Sequence, residues 1–458
     1  MRVIICGAGQ VGYGIAEKLA SEKNDVSVID VAPDLIRNVR DTLDVRGFVG
    51  HGSHPGVLEA AGAAEADMIV AVTLHDEVNM VACQVAHSLF DVPTKIARIR
   101  SQSYLETLYS DLFSNDHMPI DVIISPELEV GDMVLKRIAM PGATDVVAFG
   151  DGRITMIAIE CMEECPIVDT PLSQLTELFP DLNATVVGVS RGGRLFVPRS
   201  VDQLLAGDLA YVVAAREHVR RTLGLFGHDE QEATRIVIAG GGNIGLYVAR
   251  TIEARKGRTR VKIVEASRQR AAEAADELSR TVVLQGSALD QKLLMEAGID
   301  EADLMIALTN DDQVNILSGV LAKRLGCKSN MALLNNPAYH DFTGALGIDA
   351  FVNPRSVTIS RILQHVRRGR IRAVHSVQQG AAEVIEAEAL ETSPLVGRSL
   401  RDLDLPEDMR FGAILRGDAV LKPDGSLAIK PKDRVVIFAR AQAVRQVEQM
   451  FRVSLEFF

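Results

Sequence analysis

Three features of the sequence predict an α/β chain made of two tandem, doubly wound parallel-sheet domains, each followed by a small α+β domain. The first is an internal repeat. VIICGAGQVGYGIAEKLA at 3–20 returns as IVIAGGGNIGLYVARTIE at 236–253, and ADMIVAVTLHDEVN at 66–79 returns as ADLMIALTNDDQVN at 302–315. The offset of 233–236 residues is close to half of the 458-residue chain, which specifies two copies of one module. The second is an alternation of short apolar runs with helical patterns in the first part of each copy, the signature of a parallel sheet covered on both faces. The third is a G-x-G-x-x-G turn at the same place in each copy.

In the first copy, apolar runs at 2–6, 26–30, 47–49, 68–73, 95–99 and 122–124 predict strands. Helical periodicity at 11–21, 33–41, 57–61, 77–89 and 103–108 predicts the covering helices. Beyond about residue 140 the texture changes to short β-branched runs at 155–159, 185–190, 194–197 and 209–214, separated by Gly, Pro and Asp. That predicts a smaller, mainly β domain with a helix or two. The same change follows residue 373, with runs at 382–387, 410–416 and 434–438. GLFGHDEQEAT at 224–234 reads as the linker between copies. The expected division is therefore 1–140, 141–226, 233–370 and 373–458.

Composition narrows the function. A net charge of −12, no Trp and 4% aromatic residues argue against a nucleic-acid partner, which wants a basic face and stacking rings. Hydrophobic content of 47% with 24% charge excludes extensive disorder. MRVIICGAGQ does not read as a signal peptide, and no apolar stretch approaches the ~20 residues a bilayer needs. Cysteines at 6, 83, 161, 165 and 327 read as reduced cytosolic thiols. Cys161 and Cys165 lack the second ligand pair that zinc wants, so both are expected to pack as small apolar residues.

The glycine turns carry the most specific chemistry. Gly7-Ala8-Gly9-Gln10-Val11-Gly12 follows a strand, opens a helix, and precedes VSVID, which ends in Asp30 eighteen residues after Gly12. This is the context of a Rossmann-like dinucleotide site. Gly7 permits the tight turn, Gly9 lets a phosphate approach the backbone, and Gly12 lets helix and strand pack closely. The helix N-terminus at Gln10 and Val11 then holds the anion. Asp30 accepts hydrogen bonds from a ribose diol and repels a 2′-phosphate, favouring NAD or NADH over the phosphorylated forms. The second copy repeats the turn as Gly240-Gly241-Gly242-Asn243-Ile244-Gly245, with Glu265 at the acidic position.

Further candidates lie at strand ends, where ligands of open α/β sheets bind. His51 reads either as a packing partner for adenine or as an exposed loop histidine. Thr73 and Leu74 read either as contacts to a ribose or phosphate or as a helix N-terminal turn. Arg98 and Arg100 alternate along a strand, which puts them on one face. They form either a phosphate clamp or a solvated edge. Their counterparts are Leu333 and Asn335, so the second copy lacks the clamp. Glu127 aligns with Arg355, a charge inversion that suggests two copies facing each other, a cation site at Glu127, or a solvated helix terminus. Arg361, Arg367, Arg368, Arg370 and Arg372 form a basic cluster in an acidic chain. It fits an acidic lipid or partner surface, or a solvated helix end favoured by the macrodipole.

The small β-rich unit between the two α/β parts reads as having no His–Asp or Tyr-x-x-x-Lys arrangement, and no Walker lysine, Cys–His dyad or metal-ligand run is read elsewhere. A dinucleotide here reads as a ligand that is sensed rather than consumed. With the repeat, the G-A-G-Q-V-G turn, Asp30, GHGSHP, DEVNMVACQVA and KIARIR in view, the chain resembles the TrkA family, the cytosolic regulatory subunits of bacterial Trk potassium uptake. The resemblance covers essentially the whole chain. It implies two tandem RCK units, each a Rossmann-like domain followed by a smaller C-type domain. It also implies a homotetrameric gating ring on the cytoplasmic face of a TrkH-type potassium channel. The ligand it implies is NAD or NADH, with ATP or ADP as alternatives in the same pockets, and no catalytic turnover. Two other classes stay open on the residues alone: an NAD-dependent oxidoreductase, and a structural adaptor with vestigial pockets.

Overall fold

The computed structural model describes residues 1–163, 165–255, 257–366 and 371–451. The first copy runs β1 (Arg2–Cys6), α1 (Gln10–Ser21), β2 (Asp25–Asp30), α2 (Pro33–Thr42), β3 (Arg46–Val49), α3 (Pro55–Ala60), β4 (Met68–Ala71), α4 (Asp76–Phe90), β5 (Thr94–Arg98), β6 (Val122–Ile124) and α5 (Pro126–Ile138). The strand order is β3-β2-β1-β4-β5-β6, and every pairing is parallel. All four residues of β4 are buried, as are Val3–Cys6 of β1. Strands covered on both faces read as continuous apolar runs for this reason. The order reverses between β1 and β4, so a ligand cleft opens at their C-terminal ends.

One expected element differs. The stretch 103–108 forms no α-helix. It holds two short 3₁₀ turns, Gln102–Tyr104 and Thr107–Phe113. Asp76 captures the N–H groups of Arg100 and Ser101, and the Ser101 and Ser103 hydroxyls bond each other. Such local polar bonds compete with helix formation.

The chain continues through β7 (Ala143–Phe149), β8 (Ile154–Glu160), α6 (Leu172–Leu178), β9 (Ala184–Arg191), β10 (Arg194–Phe196), β11 (Leu209–Ala215) and α7 (Val219–Leu225). These strands form an antiparallel sheet ordered β10-β9-β11-β8-β7. The second copy then repeats the first: β12 (Arg235–Ala239), α8 (Asn243–Ala254), β13 (Arg260–Glu265), α9 (Arg268–Glu277), β14 (Val282–Gln285), α10 (Gln291–Glu296), β15 (Leu304–Ala307), α11 (Asp312–Arg324), β16 (Ser329–Leu333), β17 (Ala350–Val352) and α12 (Pro354–Val366). Its order, β14-β13-β12-β15-β16-β17, reproduces that of the first sheet. Last come β18 (Ile371–Val377), β19 (Ala382–Glu388), β20 (Met409–Arg416), β21 (Ala419–Leu421), β22 (Arg434–Arg440) and α13 (Val444–Met450), ordered β18-β19-β22-β20-β21.

Strands β7, β18 and the three-residue β21 were not among the expected ones. Polar residues interrupt the apolar pattern of β7 and β18, and two of them meet: His375 Nε2 lies 2.7 Å from Asp145 Oδ2.

The packing does not follow chain order. One compact unit joins both parallel sheets (Met1–Asp132, Val237–Gly257 and Val261–Val366), and the other joins both antiparallel sheets. Within the first unit the copies exchange their last helices. α12 lies on α1, and its Ile362, Leu363 and Val366 enter the core of Val3, Ile5, Ile15 and Leu19. Reciprocally, Tyr247 of α8 lies against Gly131 of α5 and donates to Asp132 Oδ1 at 2.6 Å. In the second unit the antiparallel sheets share a core that includes Phe149, Met156 and Tyr211 with Val384 and Phe438.

Candidate functional site

The glycine turn is built as its spacing requires. Gly7 has φ +111°, a backbone region that favours glycine, and donates its N–H to Ile29 O at 2.8 Å. A Cβ on Gly12 would stand 1.8 Å from Gly7 O, so any side chain there would split helix from strand. At Gly9 a Cβ would meet nothing within 4 Å. No side chain caps α1, which leaves its first N–H groups for an anion. The second turn repeats this geometry, with φ +107° at Gly240 and a Gly245 Cβ position 2.0 Å from Gly240 O.

Asp30 closes the turn from the end of β2. Its Oδ2 accepts from Ala8 N at 2.7 Å and its Oδ1 from Ala32 N at 2.8 Å. Each carboxylate oxygen keeps a lone pair for a ribose hydroxyl. Glu265 repeats the arrangement, accepting from Gly241 N at 2.6 Å and Ser267 N at 2.8 Å. The two acidic positions are therefore equivalent in wiring as well as in sequence.

A cleft of about 630 Å³ opens over the first turn, and one of about 590 Å³ over the second. Both fall in the size range of small-molecule sites. The first brings together Gly7, Gly9, Gln10, Val11, Asp30, His51, Thr73, Leu74, Arg98 and Arg100. Ala8 and Gly12 do not line it; they hold Asp30 and the helix in place. The second brings together Gly240, Gly241, Gly242, Asn243, Ile244 and Glu265, with Gly245 in the supporting role. His51, which lines the first cleft, is stacked on His54 at 4.7 Å and bonded to Ser53.

The two arginines part company. Arg98 ends β5, is buried, and donates to Thr73 O at 2.7 Å, while its Nε has no partner in the protein. Burial and the neighbouring Arg100 push its pKa down, against the opposing pull of Glu127 and Asp76, so an anion in the cleft would favour its charged form. Arg100 lies beyond the strand and pairs with Glu127 at 2.9 Å. That pair borders both clefts, while Leu333, Asn335 and Arg355 of the second copy line the first. The second copy lacks its own clamp in sequence, yet a first-copy arginine stands at its cleft. The two copies do face each other, as the Glu127/Arg355 inversion suggested.

Sequence reasoning missed the groups that hold these strand ends together. Asn79, fully buried, accepts from Thr73 N and Oγ1 at 2.8 and 2.7 Å and donates to Arg98 O at 2.8 Å. Asn315 does the same for Thr309 and Leu333. Asp76 and Asp312 tie down the loops after β5 and β16. The signal was present: D-x-x-N stands at the same place in both copies.

In the basic cluster, Arg361 pairs with Glu129 and Arg372 with Glu388, whereas Arg367, Arg368 and Arg370 lie outside the described residues. Cys161 and Cys165 pack among Ile159, Ile167 and Leu172. No helix among the described residues is long and apolar enough to cross a membrane.

The TrkA-N domain model matches residues 3–126 and 236–354, and the TrkA-C domain model matches 156–227 and 384–452. The chain belongs to the TrkA family. A TrkA relative from Azorhizobium caulinodans, "Trk system potassium uptake protein TrkA", is 60% identical over 458 residues and all of both chains. One from Halomonas elongata with the same name is 43% identical over 462 residues and all of both chains. Among solved structures, the GsuK RCK domain superposes with a TM-score of 0.60 at 19% identity, covering 98% of this chain and 94% of that one. The NAD-bound GsuK channel gives 0.60 at 18% identity, covering 98% and 78%. At that identity the likeness is one of fold. The paired-sheet architecture of this TrkA family member is therefore shared with RCK assemblies.

Proposed function

We propose that this chain is the nucleotide-sensing regulatory subunit of a Trk potassium uptake system, forming a cytoplasmic gating ring on a TrkH-type membrane channel. The observation that carries the reading is a pair of clefts, each built on a glycine turn and an acidic strand end, that share the Arg100–Glu127 pair in a chain of the TrkA family. The division into 1–140, 141–226, 233–370 and 373–458 then gives two RCK units. The ring is a homotetramer held at the inner face of the membrane through the channel, and the chain carries out no turnover of its own.

NAD or NADH fits the first cleft, with ATP or ADP as alternatives. The open space at Gly9 admits the pyrophosphate, the α1 N-terminus and Arg98 hold it, and Asp30 takes the adenosine ribose. His51, Thr73 and Leu74 line the rest, and Gly240–Gly242, Asn243, Ile244 and Glu265 form the second site. Ligand acts by population shift. It moves the ring only as far as it binds one arrangement of the sheets better than another. Deleting the gene in a strain without other potassium systems should abolish uptake at low external potassium. Unchanged uptake, or steady NADH oxidation by the purified chain, would overturn the reading.

A further inference from the structure

We propose that the two parallel-sheet domains carry a steric code that makes each pair with the opposite copy and not with its own kind. Helices α1 and α8 are both 12 residues long, and α5 and α12 are both 13. Position for position, Gly14 of the first copy corresponds to Tyr247 of the second, and Gly131 corresponds to Ile359.

The helix exchange brings these positions together twice, once on each side of the pseudo-twofold axis. On one side Ile359 fills the space over Gly14, where a Cβ would stand 2.4 Å from Ile359 Cδ1. On the other the Tyr247 ring fills the space over Gly131, where a Cβ would stand 2.3 Å from Tyr247 Cδ1. Each contact is one large side chain against one glycine. Two first copies would bring Gly14 to Gly131 on both sides, leaving two voids. Two second copies would bring Tyr247 to Ile359 on both sides, an overlap neither helix backbone relieves. Only the mixed pair fills space at both contacts.

Polar groups repeat the rule. Tyr247 Oη bonds Asp132 at 2.6 Å, and Arg361 Nε bonds Glu129 at 3.1 Å, both between copies. The counterpart of Asp132 is Ser360, of Glu129 is Val357, and of Arg361 is Met133. A like pair forms neither contact. Wherever this face is formed, within a chain or between chains, it therefore joins a first domain to a second one, and with them the two kinds of cleft.

The test exchanges the code in the full chain. Gly14→Tyr alone puts Tyr against Ile359 and should lower the melting midpoint by roughly 3–10 °C. Adding Ile359→Gly restores a tyrosine–glycine contact and should recover that loss. The same exchange makes like pairs fill space as well, so discrimination disappears. Refolded over a range of chain concentrations, the wild type should give one stoichiometry by native mass spectrometry. The doubly exchanged chain should give a ladder of larger species that grows with concentration. Gly131→Ile with Tyr247→Gly repeats the exchange at the other contact. Failure of the second substitution to recover stability in either exchange would overturn the code, and so would a single wild-type stoichiometry in both.

Discussion

Replacing Asn79 by Ala removes a side chain that no water reaches and that joins the ends of β4 and β5. Its carboxamide satisfies Thr73 N–H at 2.8 Å and Arg98 C=O at 2.8 Å, and touches Thr73 O at 3.2 Å and Thr73 Oγ1 at 2.7 Å. The hydroxyl has another acceptor in His75 O, so it is not orphaned. The Thr73 N–H and the Arg98 carbonyl are, and each such group costs about 1–3 kcal/mol when left without a partner. With relaxation and water entry at the cleft side, the expected total is about 2–4 kcal/mol. Asn315 makes the matching bonds to Thr309 and Leu333, so Asn315→Ala should cost a similar amount. The consequences for binding differ. Only Asn79 fixes the backbone of Arg98, so Asn79→Ala should weaken nucleotide binding in the first cleft at least tenfold, and Asn315→Ala should leave that cleft nearly unchanged. Thermal melting and calorimetric titration of the full chain with NADH and ADP measure both effects. A melting midpoint within a degree of wild type for Asn79→Ala, or equal binding losses for the two variants, would refute this account.

Three further outcomes follow from the same geometry. Gly9→Asp should abolish nucleotide binding with little loss of stability, because its Cβ meets open space, whereas Gly12→Ala should destabilise strongly through the 1.8 Å approach to Gly7 O; calorimetry and melting separate the two. Asp30→Ala should narrow the preference for NADH over NADPH, since removing a carboxylate that faces a 2′-phosphate relieves about 1–3 kcal/mol of repulsion; competition binding reads the ratio. Although burial favours its neutral form, Asp145 is held at about 2 by the facing His375 and by Arg137. A depressed carboxyl stabilises the fold above its ordinary value near 4, so that contribution, on the order of 2 kcal/mol, should be lost as pH falls from 4 to 2. Asp145→Asn should flatten the acid limb of the melting curve.

The repeat, the strand–helix alternation around each glycine turn and most cleft residues were legible in the sequence, because they are set by local rules. Gly7 and Gly12 answer to a backbone angle and a single close approach, and Asp30 to its distance along the chain from them. What escaped depends on partners far away. β7 and β18 were hidden by Asp145 and His375, polar residues that make sense only once they face each other 230 positions apart. Arg100 read as half of a phosphate clamp or as part of a solvated edge; it does line the first cleft, but nothing near it in sequence shows Glu127 closing on it. The helix exchange was visible only as the inversion of Glu127 to Arg355. The decisive residues, Gly14 and Gly131, resemble any small helical residue until Ile359 and Tyr247 are seen over them.

The helix exchange also has a timetable. α5 is complete at Ile138, but α12, which covers α1, does not begin until Pro354. α1 itself is complete at Ser21, so at a synthesis rate of about 5–20 residues per second its apolar face waits roughly 15–65 s for its cover. On a polysome, neighbouring ribosomes present many such faces at once, each carrying the first copy alone. Glycine against glycine leaves a void at each contact between those nascent domains, which weakens their pairing. The chain postpones its pairing until its own second half emerges, and the residues that shape the finished assembly also guard its birth.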